Sequence, residues 1–215
     1  MNEDMTEVSR ALTFSSSEPD VVFRIAWYAI GSKPNVMLQE HNEAESLDFE
    51  GLAKFSLRIA GEQALVAIKV TKSKSSVELT AEGPDEVALS VYLDDGLASL
   101  REALDRYYAL PEEDKPKLRR ALVAKTCWDR VVKEILAKSP VSDIYVQVAH
   151  GREMMIKALE GEEGVHPVTL TTAAWLSTIE PLPRDQTMPG NIAAELAKKS
   201  IEWKRETQDI IGRYI

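Results

Sequence analysis

The side chains of this chain that could do chemistry are few, and they are scattered. Cys127 is the single cysteine. A thiol becomes a nucleophile when a histidine or a helix N-terminus lowers its pKa. Cys127 sits mid-helix on an apolar stripe with no histidine within a turn, so it reads as a packing residue. His150 and Glu153 have the spacing of one helical face, but a di-iron site needs Glu-x-x-His twice, and the sequence holds that spacing once, at Glu163 and His166. His41 stands among Glu40, Glu43 and Glu45 in what reads as a solvated acidic loop. Asp94 and Asp95 could do acid-base work if buried and coupled. Capping a helix that starts near Gly96 is the simpler use of them. His166-Pro167 reads as a turn.

The recognisable catalytic patterns are missing. The ten glycines fall in neither a dinucleotide fingerprint nor a P-loop. The sequence has no zinc-protease helix motif and no nucleophile elbow. No cofactor and no metal site is expected.

Two surfaces invite partners. Lys198, Lys199, Lys204 and Arg205 flank Trp203 near the C-terminus, and Lys115, Lys117, Arg119 and Arg120 open an earlier helix. Basic residues interleaved with an aromatic can follow a nucleic-acid backbone and stack a base. Trp203 shares its helical face with Leu196 and Ile210, and Glu195, Glu202 and Glu206 dilute the charge, so a solvated face is the plainer reading. Gly161 to Gly164 has the spacing of a phosphate clamp, but two glutamates occupy its centre and would repel a phosphate. The second surface is the stiff connector holding Pro181, Pro183, Arg184 and Pro189, which offers another protein something to grip.

The elements that must position these residues change character along the chain. Residues 52–82 are written in period two: Phe55, Leu57 and Ile59, then Val66, Ile68 and Val70, then Val77, Leu79 and Ala81 point one way. That alternation marks antiparallel strands with one face on a core and one in water. Gly61-Glu62 is the hairpin turn. Val21 to Ile30 is apolar on both faces and reads as a strand covered on both sides, paired with Val36 to Glu40. Ala11 to Phe14 adds an edge strand, and Glu40 to Glu50 reads as a loop. Val87 to Leu93 alternates like a further strand, with a helix as the alternative.

After residue 94 the period is helical. Leu97, Leu100, Leu104 and Tyr107 share a face. Lys117 to Leu136 is the architectural centre, with Ala121, Ala124, Trp128, Val131, Val132 and Ile135 on one stripe. Ser139-Pro140 starts a third helix that ends at Gly161. A last helix runs from about Asn191. Val168 to Ile179 is a strand or a short helix.

Composition sets the frame. The 215 residues carry a net charge of −9, with eight Lys and Arg against fifteen Asp and Glu in residues 1–93, and eighteen against twenty in residues 94–215. A broadly acidic surface repels nucleic acid. The longest apolar run, Ile25 to Ile30, is far shorter than a membrane span. One cysteine and an acidic start point to the cytoplasm. The fold class expected is α+β, an antiparallel β-meander over residues 1–93 covered by a helical half over residues 94–215. The function expected is that of a non-catalytic protein that binds another chain, or a second copy of itself, through its sheet edges. An enzyme or small-ligand binder with a pocket near Trp27, Tyr28, Tyr107 and Tyr108 is the alternative, and a nucleic-acid-associated protein is the third reading.

Overall fold

The computed structural model describes residues 5–14, 18–33, 35–44, 49–73, 75–162 and 164–215. Its elements in chain order are β1 (Thr6–Thr13), α1 (Pro19–Gly31), β2 (Met37–Ala44), β3 (Glu50–Ile59), β4 (Glu62–Thr71), β5 (Ser76–Gly83), α2 (Glu86–Ala109), α3 (Lys115–Leu136), α4 (Val141–Ala158), α5 (Pro167–Ile179) and α6 (Gly190–Ile211). The fold is α+β, with its antiparallel sheet in the N-terminal half as the alternating residues require. Two compact units result, Met1–Tyr108 and Ala109–Ile215. The helix expected to open the helical half, α2, thus clusters with the sheet.

In the first unit the strand order is β1-β5-β4-β3-β2. Strands β2 to β5 form a meander, while β1 and β2 occupy opposite edges. The chain between those two edges must cross one face of the sheet, and α1 is the element that does so, packing on β3, β4 and β5. The face it covers holds Phe55, Leu57, Val66, Ile68, Val77 and Leu79, all buried. Trp27 of α1 meets it edge-on, its ring 5.6 Å from Phe55 at 77°, and Phe23 stands edge-on to Trp27 at 5.7 Å. Fully burying a side chain of this size contributes about 1.5–3 kcal/mol. The β3–β4 hairpin turns on Ala60 and Gly61, both at positive φ (52° and 90°), the conformation a tight twisted hairpin demands.

Four readings need correction. Val21 to Ile30 is not a strand but most of α1. It is apolar all round because nine of the thirteen α1 residues are buried, and an all-apolar run carries no period to read. The overlooked cue was Pro19-Asp20, a proline in the first turn with an acid beside it. Val87 to Leu93 is also helical. Asp85 Oδ1 accepts from the Ala88 amide at 2.9 Å, and Leu89 and Leu93 continue as a buried row through Leu100 and Leu104. Asp94 and Asp95 therefore lie inside α2 and cap nothing. Glu40 to Ala44 belongs to β2 and Glu50 opens β3, while residues 45–48 lie outside the described ones.

The second unit is helical throughout. α3 packs against α4 and α6, and α5 against α4 and α6. Val168 to Ile179 takes the helical alternative as α5, whose first turn is capped by His166: its Nδ1 accepts from the Val168 amide at 3.3 Å. On α3 the expected stripe is buried at Ala121, Ala124, Trp128 and Val131, and Ile135 is half-buried at its end. α4 begins at Val141, one residue after Pro140, and Ser139 donates to Glu134 instead of capping.

Candidate functional site

The first unit presents a surface with a definite chemical pattern, the face of the sheet opposite α1. Pairing register places its residues in rows across the strands. From β1 to β2, one row reads Ser9, Thr80, Ala67, Lys54 and Glu40, and the next reads Ala11, Glu78, Lys69, Leu52 and Asn42. The row on the other side reads Glu7, Glu82, Leu65, Ser56 and Met37. Thus β3 and β4 carry Lys54, Arg58 and Lys69 on this face, with Glu50 at the end of β3, while the charges of β5 and β1 there are acids, and Leu52, Leu65 and Ala67 form an apolar floor on β3 and β4.

That floor lies in a depression of about 350 Å³, walled by Lys54 and Lys69 on one side and by Glu78 and Glu82 on the other. A second depression of about 320 Å³ shares Leu65 and continues toward Gln63, Pro84 and Met5. The charges are solvated: Lys69 is 50% exposed. Lys54 pairs with Glu40 at 2.8 Å and Lys69 with Glu50 at 3.5 Å. The Glu40 hydrogen bond raises the pKa of Lys54, helped by the field of Glu82. Leu52, Leu65 and Ala67 are half-buried with no helix of their own unit over them.

Both edges of the same sheet resist an added strand. On β1, Arg10 points to the α1 side and its Nε lies 2.7 Å from Asp94 Oδ1 on α2. On β2 the register shifts between Leu38 and Glu40, and Glu43 turns inward to Arg24 at 2.9 Å. An inward charge and a bulge are the devices that blunt sheet edges.

The second unit holds a buried charge cluster that sequence reading missed. Asp129 of α3 accepts from Lys125 at 3.1 Å and from Lys204 of α6 at 2.7 Å. Lys125 has no exposure and Asp129 has 6%. Burial pushes the Lys125 ammonium down to about 8 against the pull of Asp129. Asp129 is held below the ordinary carboxylate range by the two lysines, although burial opposes them. The i,i+4 spacing of Lys125 and Asp129 is legible in the sequence, but nothing there marks the pair as enclosed. With Lys125 fully enclosed, no substrate reaches its nitrogen, and the cluster acts as a tie between α3 and α6.

The expected basic surface is divided. α3 and α6 run antiparallel, since Lys204 meets Asp129, Trp128 Nε1 donates to Thr207 Oγ1 at 3.0 Å, and Tyr214 feels Asp114. Lys198 and Lys199 thus lie roughly 25 Å along the helix pair from Lys117, at ~1.5 Å of rise per residue. Lys115 pairs with Glu112, Lys117 with Asp114, Lys199 with Glu202, and Arg120 reaches the Lys157 carbonyl and Glu160. Arg119 acts on Glu112, while Lys198 and Arg205 are exposed. Trp203 is buried, 5.2 Å from the Trp128 ring, and its Nε1 donates to Thr171 Oγ1.

The connector is tied to the start of α4. The Val141 and Ser142 amides donate to the Gln186 and Arg184 carbonyls at 2.8 and 3.0 Å, which satisfies donors a helix N-terminus leaves open. Arg184 stacks 3.9 Å over Tyr145, while Pro181, Pro183 and Pro189 stay exposed. Trp27 and Tyr107 are buried, Tyr107 donating to Glu18 at 2.8 Å, so these two are core rather than pocket lining. Cys127 is buried, and Glu153 beside His150 pairs with Lys157. Gly164 has positive φ, Glu162 meets Arg213, and Glu163 of that expected clamp lies outside the described residues. Among the described residues no group of three His, Cys, Asp or Glu could hold a metal ion, and no helix is long and apolar enough to cross a membrane. Comparison of the chain with protein-family models, with curated proteins and with solved structures finds no match.

Proposed function

We propose that the chain is a non-catalytic binding protein whose contact surface is the outward face of its sheet. The supporting observation is the pattern of that face, bases on β3 and β4 and acids on β5 and β1 about a half-buried apolar floor. Opposite charges on neighbouring strands, as at Lys69 and Glu78, already support the sheet, and the same sorting leaves the face with a basic and an acidic side. A charge-sorted face fixes the orientation of a partner and rejects wrong ones. The blunted edges move the expected mode of binding from strand addition to face packing.

The test is a photo-crosslinking residue in place of Ala67, with exposed Ala98 of α2 as the control position. Illumination in native cells gives a discrete adduct from position 67 and none from position 98, and Lys69→Glu removes the adduct. Equal labelling at both positions, or none at 67, removes the support for this surface.

A further inference from the structure

We infer that the partner of this face is a second copy of the chain, packed face to face about a two-fold axis that runs along the strands between β4 and β5. This rests on the reading of the outward face as the binding surface, and its basis is the register alone. Such an axis lies in the interface and carries each strand across to a different one: β4 lies over β5 of the second copy, and β3 lies over its β1. Rows are kept. Lys69 then faces Glu78 of the other copy, and the reverse contact repeats it, because the two residues share a row on neighbouring strands. Leu52 comes over Ala11, and Ala67 over Thr80. At the rim, Lys54 and Arg58 of β3 flank the Glu7 row of β1.

An axis along β4 or along β5 fails. An axis along β4 sets Lys69 on Lys69, and one along β5 sets Glu78 on Glu78 and Glu82 on Glu82. Like charges face to face cost specificity. The axis between β4 and β5 sets Lys69 on Glu78 and puts no two like charges face to face. The ion pairs it replaces, Lys69 with Glu50 and Lys54 with Glu40, are exposed and of small worth.

The size of the contact sets its strength. An outward position occupies about 32 Å², from ~4.8 Å between strands and ~6.7 Å along them. Four overlapped strands of four rows give about 500 Å² per copy, near the lower bound of specific interfaces. The dimer is therefore weak and dependent on concentration.

Sedimentation velocity of the full chain from about 1 to about 500 µM tests this, with the range chosen for a micromolar complex. The wild type shifts from monomer to dimer across that range. Lys69→Glu and Glu78→Lys each weaken association at least about tenfold, and the double reversal brings it back to within about threefold of wild type. Should either single variant lose its fold by circular dichroism, Lys54→Glu with Glu7→Lys makes the same exchange at the rim. A monomer at every concentration overturns the second copy as partner, and a crosslinked adduct at position 67 of another mass then leaves the binding face standing. A dimer indifferent to both exchanges overturns the inference as well. Absence of both dimer and adduct ends both readings.

Discussion

Lys125 and Asp129 stand one turn apart on α3, Nζ 3.1 Å from Oδ2, and both are enclosed in the protein. Lys204 reaches the other carboxylate oxygen at 2.7 Å, so one negative charge answers two positive ones. Enclosure wins over attraction at Lys125, whose pKa falls to about 8 from 10.5. The unfolded chain therefore binds a proton that the folded chain has released between those two values. Stability is lower below pH 8, rises through the window, and is fully gained above 10.5. The gain expected is on the order of 3 kcal/mol for this group alone. Urea unfolding at pH 7.5 and pH 9.5 checks it, and a Lys125→Met chain should lose that part of the slope. Equal slopes for the two chains would place the titration elsewhere.

Removing one member of the cluster has different effects on the two signs. Asp129→Asn leaves two lysines without their counter-charge, Lys125 wholly buried, and breaking a buried pair in this way costs about 3–5 kcal/mol. Lys125→Met leaves Asp129 with Lys204, one base for one acid, and removes a desolvated charge. It is expected to be neutral or stabilising near pH 7. Thermal melts of both variants decide the matter, and a Lys125→Met chain as crippled as Asp129→Asn would mean the lysine makes a contact worth more than its desolvation.

The contrast between these residues and the sheet shows what sequence could tell. Strands β3 to β5 were legible because their two faces differ, so that Phe55 and Lys54 alternate. α1 was not, because Val22, Phe23, Ile25, Ala26 and Trp27 are buried on every side and burial on every side erases the period. The outward face was legible one strand at a time. Its sorting into basic and acidic strands was not, because that depends on β1 pairing with β5 and not with β2, a choice made by distant parts of the chain. The buried cluster was hidden for the same reason: Lys204 is remote in sequence, and only the antiparallel run of α6 along α3 brings it to Asp129.

Two helical glycines, Gly96 in the first unit and Gly151 in the second, test how tightly each unit is packed within itself. At Gly151 of α4 a Cβ would lie 2.5 Å from Trp128 Cη2 and 3.0 Å from Cys127 Cβ. The indole cannot yield, since Thr207 holds its Nε1 and Trp203 its face. Gly151→Ala should cost about 1–3 kcal/mol of overpacking, more than the roughly 1 kcal/mol of helix propensity it gains. At Gly96 of α2 the obstacle is Ile30 Cδ1 at 2.7 Å, the free end of a flexible side chain. Gly96→Ala should be within about 1 kcal/mol of wild type. Denaturant midpoints of the pair check the difference, and similar losses at both sites would show that Ile30 is as fixed as Trp128.

Arg10 is the remaining test, because its cost and its purpose separate. The side chain is 33% exposed and its Asp94 partner 59% exposed, so the ion pair itself contributes little. Its position matters more than its energy. It interrupts the inward row Val8, Arg10, Leu12 of the edge strand β1, and a charge there would be trapped if another strand were added. Arg10→Val makes that row continuous while leaving the melting temperature nearly unchanged. Light scattering after size exclusion over days at 37 °C should then show growing oligomers for Arg10→Val and none for Arg10→Lys, which keeps the charge. These oligomers would be open-ended, unlike a two-fold dimer through the outward face, and Lys69→Glu would not dissolve them. If Arg10→Val stays as dispersed as the wild type, the edge is guarded by something other than this guanidinium.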